Sequence, residues 1–184
     1  MKKAIIIVLI LLAVVACFFI FAKQSIANNA LKVLYPKSYS EIVELKAEEF
    51  SLDENLIYAV IRAESGFREE VSSYAGAHGL MQLTDQTFEW ISSMYPPDNG
   101  GTDIFDPLDN IHCGSALLRR LINYYGELDT ALSAYNAGIG NVDSWLQNPL
   151  YSKDGKTLIK IPFSETEEYV KRVNENLSIY KKIY

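Results

Sequence analysis

The chain has 184 residues, 23 acidic and 17 basic, for a formal net charge of −6, a length that suits one globular domain plus an appendage. Setting aside Lys2, Lys3 and Lys23 leaves 14 basic against 23 acidic side chains, a net charge of −9. That balance argues against nucleic acid as a partner, because phosphate binding is driven by clustered Lys and Arg, and it is compatible with a neutral, sugar-like substrate.

Lys2-Lys3 precede an unbroken apolar run from Ala4 to Ala22, closed by Lys23. Those 19 residues would span roughly 28 Å as a helix, close to the hydrocarbon thickness of a bilayer. Residues 1–23 are therefore read as an uncleaved signal-anchor in the cell membrane, with the paired lysines cytoplasmic and the rest of the chain outside. A cleaved signal peptide would need a shorter core and a small-x-small exit, where Phe18-Phe19-Ile20-Phe21 continue the run instead. A lipoprotein would use Cys17 after Val14-Val15-Ala16, leaving bulky apolar residues behind the lipidated cysteine. Cys113 is alone in the remaining chain, so no intrachain disulfide is available there, and it reads as a small core residue.

Residues 24–38 form a juxtamembrane connector, and residues 39–184 the domain. A helix starts at Ser40, with Ile42, Val43, Leu45 and Phe50 on its apolar face. Ser51-Leu52-Asp53-Glu54 reads as a capping box opening a strongly apolar helix from Leu56 to Ala63, which ends on Glu64. The chain then breaks at Gly66 and returns through Gly76 to Gly79-Leu80-Met81-Gln82. A third helix covers Asp85 to Tyr95, followed by a turn-rich stretch from Pro96 to Thr102. Asp106-Pro107 supplies an N-cap and a proline at the first helical position of a helix that stops at Gly126. Leu128–Asn136 forms a short helix closed by Gly138, and a further turn or two carries Trp145. Leu150–Ile161 reads equally as a small hairpin around Asp154-Gly155 or as an extended loop. Ser164-Glu165-Thr166-Glu167 is a second capping box, opening a final helix through Tyr169, Val173 and Leu177. The domain is expected to be mainly α, an irregular cluster of short helices around one core, with a possible small hairpin.

Glu64 is the candidate with chemistry. A carboxylate at the C-terminal end of a buried helix faces the negative end of the macrodipole, and apolar neighbours desolvate it. Both effects favour the protonated form that a general acid needs at neutral pH. A solvated helix-end glutamate is the plain alternative. His78 and His112 lack partners at a recognisable spacing and read as structural or surface residues. No metal and no cofactor is expected.

Four segments stand in one order: Glu64-Ser65, Gly79-Leu80-Met81-Gln82, Ala134-Tyr135-Asn136-Ala137-Gly138 and Ile161-Pro162-Phe163-Ser164-Glu165-Thr166. Together with Asp106-Pro107 and Tyr169-Val170-Lys171-Arg172-Val173, they closely resemble the soluble lytic transglycosylase family, from about Tyr39 to the C-terminus. The resemblance implies a lysozyme-like fold and peptidoglycan glycan strands as substrate. It implies cleavage of the β-1,4 bond between N-acetylmuramic acid and N-acetylglucosamine, leaving a 1,6-anhydromuramoyl end. Glu64 falls on the family's single acid/base. Met81, Gln82, Tyr135 and Asn136 fall on residues lining the sugar cleft, Ser73 on a substrate-contacting serine, and Glu165 on an acidic cleft residue; Ser65 is the further binding candidate.

The residues support this beside the resemblance. A two-carboxylate glycosidase needs a second Asp or Glu as nucleophile or base, and neither GLMQ nor AYNAG contains one. The sugar's own 2-acetamido group can then stabilise the oxocarbenium ion. Plain alternatives stand beside each assignment. Ser65 also suits a local helix-end cap, Met81 core filler, Tyr135 a half-buried core tyrosine, Asn136 a helix end before Gly138, and Glu165 a favourable first-turn acid. Two departures from the family are Glu167, where arginine is usual, and Arg68-Glu69-Glu70, where an Asn-Pro turn is frequent. A hydrolytic muramidase on the same fold and a non-catalytic glycan-binding scaffold are the rival functions.

Overall fold

Six consecutive buried residues, Leu56–Ile61, make the helix α2 (Glu54–Glu64) part of the domain's core. The computed structural model describes residues 15, 17–19, 21–23, 25, 29–97, 100–101 and 103–184. The apolar run from Ala4 to Ala22, and with it the anchor reading, lies largely outside the described residues. Among the described residues, no helix is long and apolar enough to cross a membrane.

The chain divides into two compact units, residues 1–36 with Ile183 and Tyr184, and Lys37–Lys182. In the first, the Tyr184 hydroxyl donates to the Tyr35 carbonyl at 3.1 Å, and the Lys32 ammonium lies 4.9 Å from the centre of the Tyr184 ring.

The second unit opens with α1 (Ser40–Glu49). Ser51 does not cap α2 as expected. It adopts the left-handed conformation, φ 52°, that closes α1, with Ser51 N–H donating to Glu48 O and Leu52 N–H to Ala47 O. A residue used to end one helix cannot begin the next, so Asp53 takes the cap, accepting from Asn55 N–H at 2.9 Å. Beyond α2 the chain forms a small antiparallel hairpin, β1 (Ala77–His78) paired with β2 (Leu83–Thr84), register Ala77↔Thr84 and His78↔Leu83. The Gly79–Gln82 segment is its turn.

Helix α3 (Asp85–Met94) is capped by the Thr84 hydroxyl. Helix α4 (Pro107–Tyr125) starts as expected, with Asp106 accepting from Leu108 and Asp109 N–H, and closes on Gly126 at φ 72°. It is buried without a break from Asp109 to Leu118 and packs against α1, α3 and α5 (Leu128–Ala137). Helix α6 is Ile139–Leu146 and α7 is Ser164–Ile183. α7 docks on α2 through stacked Tyr58 and Tyr180 rings, 5.4 Å between centres, and through Lys181–Asp53 at 3.0 Å.

Two contacts fix the hairpin turn on α4. A Cβ at Gly79 would meet Asn110 Nδ2 at 2.3 Å, and one at Gly114 would meet Met81 Sδ at 2.4 Å. Asn110 Oδ1 accepts from Met81 N–H at 2.7 Å, and its Nδ2 donates to His78 O and Ile104 O. Leu150–Ile161 contains no strand. The Asp154 carboxylate gathers it instead, accepting from Lys156 N–H, Thr157 N–H and the Ser152 hydroxyl. The fold's hairpin therefore lies at residues 77–84 rather than 150–161.

Candidate active site

Glu64 is the last residue of α2, and its carboxyl forms part of the wall of a cavity of about 700 Å³, within the range of small-molecule sites. Ser73, Gln82, Tyr135, Asn136 and Glu165 line the same cavity, so the structure brings six of the eight expected residues together. The hairpin turn delivers Gln82, whose amide Nε2 donates to Val71 O at 3.1 Å and Gly79 O at 2.8 Å. Gln82 sits at φ 49°, a left-handed position held by those bonds. Ser73 Oγ accepts from Ala77 N–H at 3.1 Å. Asn136 Oδ1 accepts from the Thr166 hydroxyl at 2.7 Å, tying the end of α5 to the start of α7.

The other two expected residues are not on the wall. Met81 is 0% exposed and packs its sulfur into the space over Gly114. It contributes only its carbonyl, which accepts from the Tyr135 hydroxyl at 2.9 Å. Ser65 is buried and closes the end of α2, donating to Ile61 O at 3.2 Å and accepting from Phe67 N–H at 3.1 Å. For both, the plain structural role is the one observed. His78 and His112 are likewise held in the framework: His78 Nδ1 bonds the Ser72 hydroxyl, and His112 Nε2 bonds Tyr95 O.

The Glu64 carboxyl is pushed from 4.5 up to about 8. Burial is the main cause, and the charge of Glu165 adds to it. The Tyr169 hydroxyl and the Arg172 guanidinium oppose the rise by favouring the anion. Tyr169 is 1% exposed and its ring stacks on Tyr135, 6.5 Å between centres and 10° from parallel. Its hydroxyl faces Glu64 without closing a hydrogen bond of ordinary geometry. Burial, then the Glu64 charge, holds both phenols well above their ordinary value of 10, so each keeps its proton. The arrangement provides a carboxyl that is an acid at neutral pH and a protonated donor beside it for the anion that remains after proton transfer.

Tyr169 and Arg172 are the residues whose role sequence reasoning missed. Their signal was available: Glu165, Tyr169 and Arg172 stand at i, i+4 and i+7, one stripe of α7.

Residues 41–158 match the family described as Transglycosylase SLT domain. The chain belongs to the transglycosylase SLT domain family. It is 32% identical over 147 residues to the soluble lytic murein transglycosylase of Salmonella typhimurium, covering 78% of this chain and 23% of that relative. It is 28% identical over 174 residues to the membrane-bound lytic murein transglycosylase C of Yersinia enterocolitica, covering 78% of this chain and 47% of the relative. Among solved structures, an inactive mutant of lytic transglycosylase Slt from Pseudomonas aeruginosa superposes with a TM-score of 0.71 at 30% identity, covering 83% of this chain and 25% of that one. The chain thus spans about a quarter of the length of the first of these relatives. Its transglycosylase SLT domain has the mainly helical, lysozyme-like fold that the sequence resemblance implied.

Proposed function

We propose that this protein is a peptidoglycan lytic transglycosylase, cleaving the β-1,4 bond between N-acetylmuramic acid and N-acetylglucosamine and leaving 1,6-anhydromuramoyl ends. The observation that carries the reading is Glu64: a carboxyl raised to about 8 on a cavity wall, beside a protonated tyrosine hydroxyl. The SLT family match and the lytic murein transglycosylases among its relatives support it.

In the first step, Glu64 gives its proton to the glycosidic oxygen and the bond to the anomeric carbon breaks. The 2-acetamido carbonyl of the muramic acid stabilises the cationic carbon, so no second carboxylate is needed. Glu64, now an anion, is held by the Tyr169 hydroxyl and the Arg172 charge. It takes the proton of the sugar's 6-hydroxyl as that oxygen attacks the anomeric carbon. The proton count closes with Glu64 again an acid and no water consumed. Gln82, Asn136 and Ser73 are assigned to orienting the sugars, with Glu165 at the rim.

One observation favours a second reading. Glu165 is, among the described residues, the other carboxylate on the cavity wall, and a hydrolytic muramidase would use it as base for water. Its exposed position favours the rim role.

Residues 1–23 are proposed as a membrane anchor with a cytoplasmic N-terminus, residues 24–38 as its connector and 39–184 as the extracytoplasmic catalytic domain. The apolar run and the membrane-bound relative support that arrangement.

The test is Glu64→Gln, which keeps the side chain's shape and removes the transferable proton. Release of muropeptides from purified sacculi is expected to fall at least about 10²-fold, with sedimentation of the variant on sacculi retained. Unchanged release would overturn the assignment.

A further inference from the structure

The Glu64 cavity has a rim that the proposed chemistry leaves unused. Tyr74 and Trp90 both border it, from different elements, and neither contributes to the acid/base step. Tyr74 is 114% exposed, its whole ring in water. The loop that carries it is nevertheless tightly built. A bridge joins Ser72 to His78, Ser73 N–H donates to Ala77 O at 2.9 Å, and Gly76 N–H donates to Ser73 O at 3.1 Å. Such a loop orders its backbone to hold out a large ring whose apolar surface gains nothing from folding.

Trp90 stands on α3 and is 37% exposed. The Arg120 guanidinium lies 5.3 Å from its ring centre. Arg120 is not among the residues of the cavity wall, and its guanidinium steadies the indole by a cation–π contact. The rest of this stretch of wall is uncharged: Ser73, Gln82, Thr84 and Thr87 supply hydroxyls and an amide. Among the described residues, the wall's one cation is Arg172 on α7. Aromatic faces with neutral hydroxyl and amide groups between them match a pyranose, whose C–H faces stack on rings while its hydroxyls bond outward.

We infer that Tyr74 and Trp90 form an aromatic sugar-binding subsite, gripping pyranose rings of a glycan strand away from the bond that Glu64 breaks. This rests on the proposed glycan-cleaving function and adds the preference it carries: longer strands, which reach the rim, bind more tightly than short ones. Binding energy at a remote subsite holds substrate and transition state alike, so its loss is read in KM before kcat.

The experiment uses the full chain carrying Glu64→Gln, titrated with N-acetylglucosamine hexasaccharide. Trp90 and Trp145 are the two tryptophans of the chain, and Trp145 is buried. Indole emission is expected to change on binding and to lose that change when Trp90→Phe is added. Tyr74→Ala and Trp90→Ala are each expected to weaken hexasaccharide affinity at least about fivefold, and Tyr74→Phe to retain it. With Glu64 restored, Tyr74→Ala and Trp90→Ala should raise KM on soluble glycan strands more than they lower kcat. Parental hexasaccharide affinity in both alanine variants would overturn the subsite, as would equal weakening by Tyr74→Phe. If the unmodified chain fails to cleave sacculi, the function reading fails. If it cleaves and the alanine variants bind as the parent does, only the subsite fails.

Discussion

The raised Glu64 carboxyl has a kinetic signature that an ordinary glutamate cannot produce. With a value of about 8, about 90% of the molecules hold the acid at pH 7, half at pH 8 and about 10% at pH 9. At the ordinary 4.5, only about 0.3% would hold it at pH 7, a deficit of roughly 300-fold. The rate of muropeptide release from sacculi under kcat/KM conditions is therefore expected to be level to about pH 7 and to fall tenfold per unit above about pH 8. Tyr169→Phe sharpens the test. It keeps the ring stacked on Tyr135 but removes a hydroxyl that pulls the Glu64 value down, so the alkaline limb should move to higher pH. The same change removes a donor from the anionic half of the cycle. Hydrogen bonds to charged groups contribute about 1.5–3 kcal/mol, so the plateau rate should drop about tenfold or more. An alkaline limb near pH 4–5 in the parent, or a limb moved to lower pH in Tyr169→Phe, would refute the account of how Glu64 is tuned.

Stability is expected to follow the same group with the opposite sign to a salt-bridged acid. Because the folded value is above the unfolded one, Glu64 costs nothing below about pH 4.5, and its cost grows as pH rises to about 8. Glu64→Gln should therefore melt at higher temperature than the parent at pH 7, by up to roughly 3 kcal/mol of stability, with the gain shrinking towards pH 4.5 in thermal scans. Glu165→Gln separates the two enzymatic readings: a rim residue changes KM by less than about tenfold, whereas a base for water would cost as much as Glu64 itself, about 10²-fold or more. Gly114→Ala, whose Cβ would meet Met81 Sδ at 2.4 Å, should lose about 1–3 kcal/mol in urea unfolding and disturb the turn that presents Gln82. Met81→Ala, which leaves the backbone carbonyl in place, should cost about 2–5 kcal/mol of stability in the same assay, as a core residue would.

Much of the helical framework was legible because its signals are local. Asp106-Pro107 and Gly126 marked the ends of α4 by chemistry that needs no tertiary partner, and the apolar block before Glu64 announced a buried helix. The hairpin was not legible, since strands of two residues are too short to show alternation. Ser51 was misread because two adjacent helices competed for one polar residue, and the left-handed closure of α1 won. Asp154 turned a hairpin-like pattern into a loop by collecting neighbouring N–H groups on one carboxylate. At the site, residue identity was readable but direction was not. Met81 and Ser65 lie inside recognisable motifs, yet their side chains face the core, a choice made by the space over Gly114 and by the Ile61 carbonyl. The sequence places Tyr169 in the final helix, and only packing shows its hydroxyl turned to Glu64.

The central claim, that the substrate's own 6-hydroxyl replaces both water and a second carboxylate, is tested most directly by the mass of the products. Sacculi digested by the full chain and analysed by mass spectrometry should yield muropeptides lighter by one water than hydrolysed ones, ending in 1,6-anhydromuramic acid, and Glu64→Gln should yield almost none. Products ending only in reducing muramic acid would contradict it.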